Sequence, residues 1–135
     1  MLNIRLADEK DAEWLLQWDR HIAAGELANL LPLGRVLLAE ADRRLVGWLR
    51  YGLFWDEIPF MNMLFFLEAE RGKGFGHALV SDWENRMRAE GYQRVMTSTQ
   101  VDESAQHFYR KLGYRDTGAL LLPEQAAELL LIKTL

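Results

Sequence analysis

Residues 61–87 read MNMLFFLEAERGKGFGHALVSDWENRM. An apolar run ends at Leu67, three glycines follow at alternate positions (Gly72, Gly74, Gly76), and an amphipathic run then begins. The stretch reads as strand, glycine loop, helix. That order suits an anion, because glycines let backbone N–H groups converge with no Cβ in the way. The helix that follows adds unpaired donors and the positive end of its dipole. Arg71 and Lys73 place two cations at the same point. The competing reading is a tight turn whose cations are only solvated, and spacing alone does not choose between the two. Two familiar phosphate loops do not fit. The stretch lacks the Gly-Lys-Ser/Thr ending of a P-loop, and Gly72-x-Gly74-x-Gly76 is not the Gly-x-Gly-x-x-Gly of dinucleotide folds.

Working outward, "LNIRLA" (2–7) reads as a strand, and "DEKDAEWLLQWDRH" (8–21) as a helix with acidic residues at its start. A second helical piece, "AAGELANLLPLG" (23–34), stops at Pro32–Gly34. A hairpin over 35–54 turns at Ala41–Arg43, and "PFMNMLFFL" (59–67) is apolar enough to predict a strand buried on both faces. Beyond the glycines, Leu79, Val80, Trp83 and Met87 recur at helical spacing up to Gly91. A strand over 92–100 follows, then a helix with Asp102 as expected N-cap, and Ala105, Phe108, Tyr109 and Leu112 on one stripe. Two last strands, 114–122 and 126–135, are expected to pair antiparallel. The order β-α-α-β-β-β-α-β-α-β-β predicts an α+β fold with one central sheet flanked by helices.

The composition limits the chemistry. A chain of 135 residues, half of them hydrophobic, is expected to form a single domain over 1–135. The net charge of −4 carries no basic excess for nucleic acid. No apolar run nears the roughly 20 residues of a membrane span, and the start has no signal-peptide layout, so a cytoplasmic protein is expected. With no cysteine there is no thiol nucleophile and no thiolate metal site, and His21, His77 and His107 form no ligand pair, so no metal is expected. There is no Gly-x-Ser-x-Gly elbow either, so a group transfer here is expected to proceed without a covalent enzyme intermediate.

Two motifs together carry a resemblance. "RGKGFGHALV" (71–80) resembles the Gln/Arg-x-x-Gly-x-Gly/Ala signature of the GNAT-type N-acetyltransferases, through Arg71, Gly74 and Gly76. "VDESAQHFYRKLGY" (101–114) resembles that family's Asn-x-x-Ala-x-x-Phe-Tyr-x-Lys-x-Gly-Phe/Tyr block, through Ala105, Phe108, Tyr109, Lys111, Gly113 and Tyr114. The order of elements fits over essentially the whole chain. The resemblance implies the acyl-CoA N-acyltransferase-like fold, a three-layer arrangement around a mixed, mostly antiparallel sheet. It also implies acetyl-CoA as cosubstrate, and a small-molecule or peptide amine as acceptor.

Residue by residue, the resemblance implies that the amides of Gly72, Lys73, Gly74, Phe75, Gly76 and His77, with Arg71 alongside, hold the pyrophosphate. It implies that Leu64, Phe65, Phe66 and Leu67 form a splayed strand whose backbone aligns pantetheine, with an N–H near Phe66 on the thioester carbonyl. Tyr109 is implied as proton donor to the leaving thiolate, although its stripe also suits a core tyrosine. Asp102 stands where the family has Asn, which puts that residue's cofactor contact in doubt. The family fixes no base; Glu57 ranks ahead of Glu68, and water is an alternative. Trp48, Tyr51 and Trp55, near acidic Asp56 and Glu57, are candidate walls for a cationic amine. A homodimer through edge strands is the family-based expectation. The main alternative function is a coenzyme A-binding sensor without turnover.

Overall fold

The computed structural model describes residues Met1–Leu135. The elements run β1 (Leu2–Leu6), α1 (Ala12–Trp18), α2 (Ala24–Leu30), β2 (Val36–Ala41), β3 (Arg44–Phe54), β4 (Ile58–Phe66), α3 (Phe75–Ala89), β5 (Arg94–Gln100), α4 (Ala105–Lys111), β6 (Arg115–Leu120) and β7 (Glu128–Thr134). This is the order the sequence predicts. Seven strands form one mixed sheet in the order β1-β2-β3-β4-β5-β7-β6. Only β4 and β5 run parallel, and their register comprises two pairs, Phe60 with Met96 and Met61 with Thr97. The chain divides into two compact units, Met1–Arg50 with Met63–Leu79, and Tyr51–Asn62 with Val80–Leu135.

The first unit is built on the β1–β2–β3 meander. Its core gathers Ala7, Leu15, Leu27, Leu31, Val36, Leu38 and Trp48. The side chains at these positions come from α1, α2 and alternate strand positions, as the 3.6 and 2.0 periods dictate. Asp8 and Asp11 form a capping box before α1, and Arg5 grips Asp11 through two nitrogens at 2.8 and 2.9 Å. That pairing holds the Asp11 carboxyl below its usual range, the Arg5 hydrogen bond being the largest cause. At the far end of α1, buried Asp19 accepts from Arg50 Nε at 2.7 Å and from Trp48 Nε1 at 3.2 Å. One carboxylate thus ties the helix end to β3.

The second unit centres on β5 and β7, registered from Arg94–Thr134 to Gln100–Glu128, with β6 on the outside. Trp83, Met87, Val95, Tyr114 and Leu131 are almost fully buried there. Buried Glu84 on α3 accepts from Tyr114 Oη and from Lys133 Nζ, each at 2.8 Å. This network fastens α3 to Tyr114, just ahead of β6, and to β7.

Two expectations need correction. Strand β4 is not buried on both faces: Asn62 is exposed and residues 63–65 are half-buried. Helix α4 starts later than Asp102 would place it. Its N-cap is Ser104, and the preceding turn is closed instead by Gln106 Nε2, which donates to the carbonyls of Val101 and Glu103 at 2.8 and 2.9 Å.

Candidate functional site

The glycine loop is built as its sequence demands. Gly72 and Gly74 take φ of 78° and 82°, left-handed values that a side chain resists. A Cβ at either would meet nothing within 4 Å, so their conformation and not crowding requires glycine. Arg71 N–H donates to the Glu68 carbonyl, and the next donor along the backbone is Ala78 N–H, to Gly74. The amides of residues 72–77 between them find no acceptor in the protein. A run of unsatisfied donors at the head of a fifteen-residue helix has the chemistry that suits an anion.

The cations at the loop are held differently. Arg71 Nε donates to the Phe66 carbonyl at 2.9 Å, and its guanidinium lies 5.0 Å from the centre of the Phe65 ring. These contacts fix its plane and leave the two terminal nitrogens free of protein partners. Lys73 Nζ is bonded to Glu70 at 3.0 Å, and Arg44 approaches the same carboxylate at 3.3 Å. Lys73, and then Arg44, hold the Glu70 carboxyl below its usual range. Phe75, at the helix start, packs on Phe66 with ring centres 6.0 Å apart. Gly47 makes room for this: a Cβ there would lie 2.4 Å from the Phe66 ring and 2.6 Å from the Phe65 carbonyl.

The free backbone edge of β4 follows from the same contacts. Leu67 N–H donates to Val46 on β3 at 2.9 Å, so by the alternation of an extended strand the amide and carbonyl of Phe66 face the other way. The Phe66 carbonyl takes Arg71, and its N–H remains available. Glu70 is the one residue of this region that sequence reading passes over. The i, i+3 spacing of Glu70 and Lys73 is the signal that could have found it.

In the second unit, Tyr109 is 7% exposed and rests edge-on against Phe108 and Tyr114, at 5.2 and 5.6 Å. Burial pushes its phenol up to about 12, with the Thr97 hydroxyl opposing and Glu103 adding to the rise. It is therefore protonated at neutral pH, as a donor must be. Asp102 and Glu57 are both exposed. Tyr51 is buried against Trp83, with ring centres 5.6 Å apart. Trp48, in the first unit, is buried at 1% exposure, whereas Trp55 stands 75% exposed at the tip of the β3–β4 hairpin. Of the three aromatics read as acceptor walls, only Trp55 has an open face.

The comparisons with known proteins agree on one family. The family model described as Acetyltransferase (GNAT) family matches residues 4–114. A GNAT family acetyltransferase from Bacillus cereus ATCC 10987 superposes with a TM-score of 0.82 at 21% identity, covering 99% of this chain and 97% of its own. The PaiA N-acetyltransferase of Thermoplasma acidophilum, solved in complex with coenzyme A, gives 0.79 at 16% identity, covering 100% and 99%. A GNAT family acetyltransferase from Elizabethkingia anophelis with acetyl-CoA bound gives 0.78 at 18% identity, covering 99% and 98%. At these identities the likeness carries the fold. No curated protein matches the sequence.

Proposed function

Because the chain belongs to the GNAT acetyltransferase family, we propose that it transfers the acetyl group of acetyl-CoA to a primary amine of a small molecule or peptide. The observation that carries this is the run of acceptorless amides at 72–77, with Arg71 fixed beside it by Phe66 and Phe65. Two left-handed glycines, a helix head and an oriented guanidinium fit a pyrophosphate. The two relatives solved with coenzyme A or acetyl-CoA support the same ligand here.

Acetyl-CoA supplies the acetyl group as an activated thioester. The amides of residues 72–77 and Arg71 would hold its phosphates, and the backbone of Leu64–Leu67 would align pantetheine. Phe66 N–H is the donor for the thioester carbonyl, where a preorganised hydrogen bond is worth about 3 kcal/mol in a transition state. The amine nitrogen attacks that carbonyl carbon, the C–S bond breaks, and no bond to the enzyme forms. Glu57, or water, takes the proton the amine loses. Tyr109 is assigned as the donor to the departing sulfur. A phenol near 12 holds its proton against a thiolate whose thiol titrates near 8.5, so its contribution is chiefly a donated hydrogen bond. Asp102 is kept as a cofactor-side residue in this reading, and no role falls to a metal.

The proposal further takes residues 1–135 as one acetyltransferase domain, cytoplasmic and paired as a homodimer. No helix is long and apolar enough to cross a membrane. The test is calorimetric titration with acetyl-CoA, followed by thiol release over an amine panel. The chain has no cysteine, so the thiol signal has no protein background. Binding with turnover of an amine supports the proposal. Binding with no turnover of any amine leaves the sensor reading, and no binding ends both.

A further inference from the structure

Glu70 closes the short 3₁₀ turn Glu68–Glu70 between β4 and the glycine loop, and it is only 6% exposed. A carboxylate is seldom that buried, and this one sits one residue ahead of Arg71 and the acceptorless amides of 72–77. Charge alone would set it against any anion there. Two cations answer it: Oε2 accepts from Lys73 Nζ at 3.0 Å, and Oε1 from Arg44 Nη2 at 3.3 Å. The trio carries one net positive charge, and all of it lies in the first unit.

Lys73 stands between the two left-handed glycines, Gly72 and Gly74. Neither glycine amide is bonded within the protein, and glycine has the most backbone freedom to lose. What reaches across the loop is the Lys73 side chain. Its Nζ turns back to Glu70 and lies 5.9 Å from the centre of the Phe75 ring. An ion pair orders little when both ends swing freely in solvent. Here one end does not: the Glu70 side chain is 8% exposed, and its backbone N–H donates to the Leu67 carbonyl at 2.8 Å. Lys73, half-exposed, is the arm that is held.

We infer that Glu70 is a positioning residue for the glycine loop: it tethers Lys73 and so keeps Gly72 and Gly74 in their left-handed conformation before any ligand arrives. The Lys73 side chain is then a strut, and its ammonium is not a ligand of the phosphates. The inference rests on the acetyl-CoA reading for the identity of the anion, but the tether itself does not. The two roles for Lys73 differ in sign. If its ammonium bonds the phosphates, Glu70 competes for it, and removing that carboxylate tightens binding. If it is a strut, removing the carboxylate loosens the loop and weakens binding, although a negative charge has been taken away.

The test is calorimetric titration of the full chain with acetyl-CoA in Glu70→Gln, Lys73→Met and the double variant, which keeps the wild-type net charge. Each is expected to bind about fivefold more weakly than wild type, the upper scale of one ion pair, and the double variant no more weakly than either single one. Tighter or unchanged binding in Glu70→Gln, or wild-type affinity in the double variant, overturns the inference. The tether is read separately, without ligand, by ¹⁵N relaxation at the Gly72 and Gly74 amides. Order parameters are expected near the rigid value of about 0.85 in wild type and below about 0.6 in Glu70→Gln. Equal order in the two proteins, or a loop already mobile in wild type, overturns the tether. A wild type that binds no acetyl-CoA but shows the loss of order in Glu70→Gln supports the tether and faults the cofactor reading.

Discussion

Arg71 Nε donates to the Phe66 carbonyl at 2.9 Å, so one residue of the loop is aligned by the strand that precedes it. Phe65 beneath the guanidinium completes the alignment at 5.0 Å. A lysine cannot do both, since it lacks the planar fork that bonds the carbonyl with one nitrogen and leaves two for a ligand. Arg71→Lys is expected to weaken acetyl-CoA binding about tenfold, the scale of one charge-assisted hydrogen bond. Calorimetry reads the affinity, and an unchanged Tm shows that the loss is not one of folding.

Gly74 has a φ of 82° with open space around it. Gly74→Ala therefore costs stability through the backbone alone, on the order of 1–2 kcal/mol. Gly74→Asp adds a negative charge where six consecutive amides have no acceptor in the protein. The aspartate variant is expected to lose acetyl-CoA binding outright, while the alanine variant only weakens it. Denaturant melts and titrations of both variants separate strain from charge.

Tyr109 makes a prediction for activity and one for pH. On the proposed mechanism, Tyr109→Phe removes the donor for the leaving sulfur and is expected to lower kcat by roughly 10²-fold, with acetyl-CoA affinity kept. Its phenol lies at about 12 in the fold against an ordinary 10. The folded state therefore holds its proton where the unfolded chain has released it. That stabilisation is fully present below pH 10 and is lost as pH rises from 10 to 12, by about 2–3 kcal/mol. Urea melts across that window check it: wild type should lose more stability than Tyr109→Phe.

Asp19 accepts from Arg50 and Trp48 in a buried setting, at 2.7 and 3.2 Å. Asp19→Ala would leave a buried guanidinium and an indole N–H with no carboxylate partner. Removing one side of such a pair costs about 3–5 kcal/mol. A smaller loss, below about 1 kcal/mol, would mean that water replaces the carboxylate.

What the sequence made legible is what periodicity and local chemistry encode. Leu79, Val80, Trp83 and Met87 are spaced as a helix stripe, and all four are buried. The conformation of the glycine loop was legible because left-handed φ and amides without acceptors are properties of a few consecutive residues. What escaped depends on partners distant in the chain. Trp48 reads as a pocket wall by its place on a hairpin, but Asp19, 29 residues away, draws its indole into the core. Strand β4 looks doubly buried by composition, but its pairing with β5 is limited to two positions. The α4 cap was misplaced because Gln106 reaches back to two carbonyls, a competition that an N-cap rule for Asp102 does not weigh.

The most direct test of the central claim, that the 71–77 loop holds the pyrophosphate of coenzyme A, is thermal unfolding with saturating acetyl-CoA, set against adenosine diphosphate and NAD. Ligand at a hundred times its Kd stabilises by about 2.7 kcal/mol, which for a chain of this size is a Tm rise of roughly 6–15 °C. The account predicts that rise for wild type and for Tyr109→Phe, and none for Gly74→Asp. An equal rise in Gly74→Asp, or no rise in wild type, would contradict it.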